Sequence, residues 1–413
     1  MKYLIVGDSA AGVGCIEGIR AADRGGEVTV VSAEARGCYS RPLISYRLSG
    51  KVDDAGMSFR GEDFFRENGV TLLEGREAVR LDPEGRSLML KDGGVLPYDR
   101  LLWAAGSSPA VPPIPGLERV TNRTPFHSWD DEERLEAMLT PGARVLILGG
   151  GLVGIKCAEA LTKKDVRVCV AEGLPRILAA VLDDEAAAMA QAHMERAGVA
   201  FRVGDAVASF DESRAVFRSG AEEKFGVLVL AAGVRPNISV LKTAGAACSR
   251  GVLIDAAGRT SLPGVWAAGD CAEGTDCSTG KSAVMALWPN ARLQGEAAGR
   301  SMAGAEAGFS DAIPVNATSV LGFPFATAGA QEGESRVLRG RGAYKRLFYG
   351  GGRLTGYIMA GDAAKAGIYT ALIRRREPLD GLDLSLVCAE PSLLAFTAQR
   401  RDELLNHVET EAV

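Results

Sequence analysis

Three glycines, Gly149, Gly151 and Gly154, follow the apolar run VLIL, and Glu172 stands eighteen residues beyond the last of them. A G-x-G-x-x-G turn between a strand and a helix lets backbone N–H groups approach a pyrophosphate, with the helix N-terminus adding positive potential. Leu152 and Val153 fill the two positions before the third glycine. A carboxylate placed like Glu172 accepts the ribose hydroxyls of NAD and repels the 2′-phosphate of NADP, so NADH is expected over NADPH. Arg176 is near enough in sequence to leave the second nucleotide open.

The chain begins with a second turn of the same kind, Gly7-x-Ser9-Ala10-Ala11-Gly12, after the strand-like YLIV. Serine replaces the middle glycine, a small change whose hydroxyl can donate to a phosphate. Glu34, twenty-two residues past Gly12, is the candidate ribose acid. A plain strand–helix turn without a ligand would read similarly.

Each turn leads into a helix-like run and then a strand, EVTVVSAE after the first and VRVCVAEG after the second. The likeness continues: LLEGREAVRLDPEGRSLMLKDGG resembles FRVGDAVASFDESRAVFRSGAEE, and AAGSSP matches AAGVRP, which contains Gly233. These repeats predict an α/β protein with two Rossmann-like dinucleotide-binding domains, the second inserted in the first. Residues 1–109 and 233–309 would form the first domain and 110–232 the second. Residues 310–413 differ from both: AYKRLFY, a GGG turn and RLTGYIMAGD read as a β-hairpin, followed by a helix from Ala363 to about Arg376. A small α+β C-terminal domain with a helical tail is expected there.

Composition excludes several classes. With 413 residues, 47% hydrophobic, 24% charged and a net charge of −5, the chain reads as an ordinary globular protein, with nothing pointing to nucleic acid or a membrane surface. No eighteen-residue apolar run or signal segment is present, so a cytoplasmic location is expected. The eight cysteines form no C-x-x-C pair, and three histidines leave little for metal catalysis. No metal site is expected.

SLPGVWAAGDCAE, Ser261–Glu273, strongly resembles the flavoprotein segment whose aspartate bonds the ribityl chain of FAD. Together with YDRLLWAAGSSP and VLAAGVRPN, it makes the chain similar, over nearly its whole length, to the FAD-dependent pyridine nucleotide–disulfide oxidoreductases. GCYSRPLISYRLSG and LWPNARLQGEAAGRSMAG further resemble NADH:rubredoxin oxidoreductases and the N-terminal part of nitrite reductase large subunits. The resemblance implies that the first turn holds FAD and the second NAD(H). It places Gly269 and Asp270 at the ribityl chain, Arg41 at an FAD phosphate, Ala78 at the adenine, Ala105 at the dinucleotide and Trp288 beside the flavin's pyrimidine side.

Two departures stand out. Where related NADH oxidases and peroxidases carry a redox cysteine beside the flavin, this chain has Pro42; Cys38 is four residues away, and Cys271 suits packing. Lys156 stands where relatives often carry a glutamate near the nicotinamide. It can pair with Glu159 one turn on, or favour reduced, anionic flavin by its charge.

The chain is therefore expected to pass electrons from NADH through FAD to an external one-electron acceptor such as rubredoxin or another iron–sulfur protein. Ten basic residues between Arg336 and Arg376, opposed within that segment only by Asp362, would steer an acidic carrier. An alternative is the FAD- and NAD-binding subunit of a larger complex that exchanges electrons with an iron–sulfur subunit; a third is an NADH oxidase.

Overall fold

YLIV is apolar at every position, the pattern of a strand covered on both faces rather than on one. The computed structural model describes residues 1–389 and 391–406. In it Lys2–Val6 is the middle strand of a five-stranded parallel sheet, flanked on one side by Arg100–Trp103 and Val265–Ala267 and on the other by Glu27–Val31 and Val70–Leu73. The second repeat builds the same sheet. There Ala143–Leu148 is central, between Val166–Glu172 with Ala200–Val203 and Val227–Leu230 with Arg123–Pro125, all parallel. Each sheet has an antiparallel three-stranded companion, Ala78–Pro97 in the first and Val207–Lys224 in the second.

The chain passes between the two lobes through a two-stranded ribbon, Ser107–Pro109 against Val234–Pro236. Asn237 fixes it: its amide donates to the Ala105 carbonyl at 2.9 Å, and its own carbonyl accepts from the Trp103 indole at 2.8 Å.

Behind the first sheet the Ala10–Ala22 helix lies against Trp288–Met302. Small residues allow the backbones to touch. A Cβ at Gly295 would lie 2.0 Å from the Ala11 carbonyl oxygen, and one at Gly14 would lie 2.1 Å from that of Arg292. Ile16, Ile19, Ala298 and Met302 complete this buried seam.

The chain divides into two compact units. The first holds both lobes, residues Met1–Leu178, Met194–Asp276 and Lys281–Ala312. The second holds Ala179–His193, Cys277–Gly280 and the described residues from Ile313 onward. Its five-stranded antiparallel sheet runs in the order Val315–Val320, Phe323–Gly329, Arg353–Ala360, Ala343–Gly350, Glu334–Gly340, with the Ala366–Arg374 helix packed on it. Tyr357, Tyr369, Leu347 and Ile373 form its core. The hairpin and helix read from the sequence are both present, and the tail helix runs Ala398–Asn406. Its expected continuation past residue 406 lies outside the described residues.

One segment departs from the sequence boundaries. Ala179–His193 falls within the 110–232 insertion, yet it packs with the C-terminal sheet. Charge explains the attachment: Arg339 makes a bidentate pair with Glu185 at 2.6 and 2.7 Å, and Asp183 accepts from Tyr344 and Arg346 at 2.5 and 3.2 Å. The basic run is therefore opposed in the folded chain by acids that its own sequence does not contain. No helix among the described residues is long and apolar enough to cross a membrane.

Candidate functional site

Both glycine turns sit where a parallel sheet ends and a helix begins, the place where such sheets take ligands. Gly149 has φ +117° and Gly7 φ +104°, and each donates its N–H to the neighbouring strand at 2.8 Å, to Ala171 and Val31 respectively. Gly154 and Gly12 lie so close to those turns that a Cβ on either would sit 2.0 Å from the carbonyl of Gly149 or Gly7. The middle position differs. A Cβ on Gly151 would meet nothing within 4 Å, so this backbone borders open space. In the first lobe Ser9 takes that position as N-cap, with no side-chain capping bond. Ala10 and Ala11 are buried behind it, while Val153, the counterpart of Ala11 in the second turn, is exposed.

Glu172 ends its strand with one carboxylate oxygen accepting from the Gly150 N–H and the other from Leu174 N–H, both at 2.8 Å. Each oxygen keeps capacity for a ribose hydroxyl. Lys156 forms its ion pair with Glu159 and holds its ammonium 4.9 Å from the centre of the Tyr46 ring. Lys51 approaches the same glutamate at 3.9 Å. Of the two roles read from the sequence, the pairing with Glu159 is formed. Gly233 stands at φ +100°, its carbonyl accepting from Ala110 at 2.9 Å.

In the first lobe the predicted residues converge through partners that the sequence did not single out. Glu34 accepts from the Tyr39 hydroxyl and from Arg41, each at 2.6 Å. Arg41 also donates to the His127 carbonyl at 3.2 Å. The His127 ring bonds the Ser107 carbonyl at 3.0 Å, and the Ser107 hydroxyl donates to Asp270 at 2.9 Å. One connected polar path thus joins Glu34, Arg41 and Asp270. Burial, with Arg41 adding to it, lowers the His127 pKa, so the ring stays neutral to lower pH than a free histidine. Gly269, at φ +81°, is held by the Gln294 side chain at 3.0 Å.

Other predicted residues lie apart from this path. Pro42 occupies the exposed middle of the short Arg41–Leu43 turn. Ala78 opens the first lobe's antiparallel hairpin, and Ala105 is held by Asn237. Trp288 begins its helix with its ring edge-on to Phe59 at 4.9 Å. Tyr39, Ser107 and His127 were missed because a tyrosine, a serine and a histidine with no spacing motif carry no sequence signal for a shared site.

Cys38 and Cys271 are poor nucleophiles. Burial pushes the Cys38 thiol up to about 12, with Asp8 adding to it, and burial likewise pushes Cys271 to about 12. Cys271 is fully buried and its Sγ lies 3.3 Å from the Ala268 carbonyl. All eight cysteines are free thiols. No group of three potential metal ligands occurs among the described residues.

Residues 1–295 match the family model described as pyridine nucleotide-disulphide oxidoreductase. The chain is 32% identical over 395 residues to the NADH-dependent phenylglyoxylate dehydrogenase subunit epsilon of Aromatoleum evansii, covering 92% of this chain and 93% of that one. It is 27% identical to a rubredoxin-NAD(+) reductase of Pseudomonas putida, over 74% of this chain and 80% of the relative. Among solved structures, the putidaredoxin reductase–putidaredoxin complex superposes with a TM-score of 0.86 at 22% identity, covering 99% of both chains. A NAD-dependent persulfide reductase from A. fulgidus also reaches 0.86, at 26% identity over 92% of this chain and 78% of that one. The chain belongs to the pyridine nucleotide-disulphide oxidoreductases and is an NADH-dependent flavoprotein oxidoreductase with FAD and NAD(H) as cofactors.

Proposed function

We propose that this protein carries electrons between NADH and an external iron–sulfur protein through FAD. The first lobe (residues 1–109 and 233–309) would hold FAD through Gly7, Ser9, Gly12, Arg41 and Asp270. The second lobe (110–232) would hold NADH through Gly149, Gly151, Gly154 and Glu172. FAD, when bound, takes two electrons from a nicotinamide and releases them singly. The residues of this chain align the two dinucleotides and supply no acid, base or nucleophile to the transfer; alignment alone accounts for much of such a rate.

The observation that carries the external acceptor is the state of Cys38. It is the cysteine nearest in sequence to Pro42, and burial, with Asp8 adding to it, pushes its thiol up to about 12, which makes it a poor relay for electrons. Anaerobic titration with NADH tests this. One equivalent per FAD is expected to bleach the flavin completely, and a requirement for two would revive a thiol–disulfide relay.

Glu172 should set nucleotide choice. Stopped-flow flavin reduction is expected to be at least about tenfold more efficient with NADH than with NADPH, a difference of ~1.4 kcal/mol. Glu172→Ser should narrow the gap. Equal efficiency of the two nucleotides in the wild type would remove Glu172 from the ribose site.

For the acceptor, the charges left exposed matter. Arg339 and Arg346 are engaged by Glu185 and Asp183, whereas Arg341, Arg353 and Arg375 are exposed. An acidic carrier would be drawn to these at low ionic strength. Replacing the three with serine is expected to slow reduction of an acidic ferredoxin or rubredoxin several-fold at low salt and to leave flavin reduction by NADH unchanged. A carrier rate insensitive to both salt and the triple substitution would leave oxygen or an obligate complex as the acceptor. The phenylglyoxylate dehydrogenase relative favours the complex, because it is itself a subunit and matches over nearly its full length. In that second reading, turnover appears only when an iron–sulfur partner subunit is added.

A further inference from the structure

The two lobes place their carboxylates differently at the same point of the fold. Strand register pairs Leu148 with Ala171 in the second lobe and Val6 with Val31 in the first. Glu172 and Ser32 therefore occupy equivalent positions, one residue past each strand pair, and Gly150 and Asp8 occupy equivalent positions in the turns. In the second lobe the strand end supplies the acid and the turn supplies only backbone: Glu172 accepts from the Gly150 N–H at 2.8 Å. In the first lobe the arrangement is exchanged. The turn supplies the acid, Asp8, and the strand end supplies Ser32, whose hydroxyl acts on that carboxyl.

Asp8 is 9% exposed, and its Oδ2 has no hydrogen-bond partner. A buried carboxylate oxygen left without a donor is costly unless something else supplies one. Glu34, the acid that sequence spacing selects for the ribose, already has a donor on each oxygen, Tyr39 on one and Arg41 on the other, whereas Asp8 Oδ2 has none. The orphaned acceptor in the first cradle belongs to Asp8.

We infer that Asp8 receives a hydroxyl of the adenosine ribose of FAD on Oδ2. This rests on the first lobe being the FAD lobe. The groups facing Asp8 are Ser32 from the strand end and Glu34, Cys38 and Arg41 from the segment that follows. Burial, and then Glu34, raises the carboxyl's pKa, while Ser32 and Arg41 oppose the rise. A donated ribose hydroxyl favours the ionised form. FAD affinity should thus climb as pH rises through the Asp8 titration of the apoprotein and flatten above it.

The test measures binding of FAD, and of FAD analogues lacking the 2′- or the 3′-hydroxyl of the adenosine ribose, to apoprotein by flavin fluorescence. Wild type should bind at least one deoxy analogue about tenfold or more weakly than FAD, as expected for a lost charge-assisted bond. Asp8→Ala should bind FAD and that analogue equally and weakly. Asp8→Asn keeps the shape of the site and serves if the alanine variant does not fold; it should lose the acid-side fall in affinity. Discrimination kept in Asp8→Ala but lost in Glu34→Ala overturns the inference, as does an Asp8→Asn pH profile identical to wild type. Failure of wild type to bind FAD at all would instead sink the assignment of the lobe.

Discussion

Gly151→Val is expected to leave the fold and the bound flavin intact and to slow NADH-driven flavin reduction about a hundredfold, equivalent to roughly 2.7 kcal/mol. The position accepts a side chain in every respect but one. Its φ of −74° and ψ of −179° are extended backbone that any residue adopts, and an added Cβ meets no protein atom within 4 Å. In the proposed NADH site, the open space it borders would receive the pyrophosphate at the helix N-terminus. A valine there occupies that space without disturbing the protein itself. Stopped-flow reduction by NADH, compared with chemical reduction by dithionite, checks it: dithionite should still bleach the flavin at the wild-type rate. Unimpaired reduction by NADH would show that the nicotinamide dinucleotide does not lie on this turn.

The second large effect lies in the helix seam. Gly295→Val should lower the stability of the first unit by about 3 kcal/mol, the upper range for overpacking. At roughly 2–4 °C per kcal/mol this is a fall of about 6–12 °C in thermal midpoint. Helix propensity alone predicts the opposite sign, because glycine is the poorer helix former. What decides is the carbonyl of Ala11, 2.0 Å from where the Cβ would stand. Neither backbone can yield without displacing the first turn of the Ala10–Ala22 helix, so FAD retention should fall with stability. Thermal melting followed by far-UV circular dichroism and by flavin release measures both. A midpoint within about 2 °C of wild type would mean the helices separate cheaply.

The sequence by itself determined what is local. A strand, a glycine turn and a helix lie within some thirty residues, so Gly7-x-Ser9-x-x-Gly12, Gly149-x-Gly151-x-x-Gly154 and Glu172 were legible from spacing, and the repeat revealed two lobes of one kind. The hairpin at Ala343–Ala360 and the helix at Ala366–Arg374 were legible for the same reason. Tertiary structure alone decided which polar groups meet. Ser107 reaches Asp270 across 163 positions, and Arg41 reaches His127 across 86; pairs so distant leave no period or motif to read. It also decided charge, since Asp183 and Glu185 leave the second lobe's stretch of sequence to neutralise Arg346 and Arg339. The exchange of acid between turn and strand end became visible only with the strand register. Ser32 and Glu34 are two residues apart, a difference that motif spacing tolerates, and only the strand register shows that Ser32, not Glu34, matches Glu172.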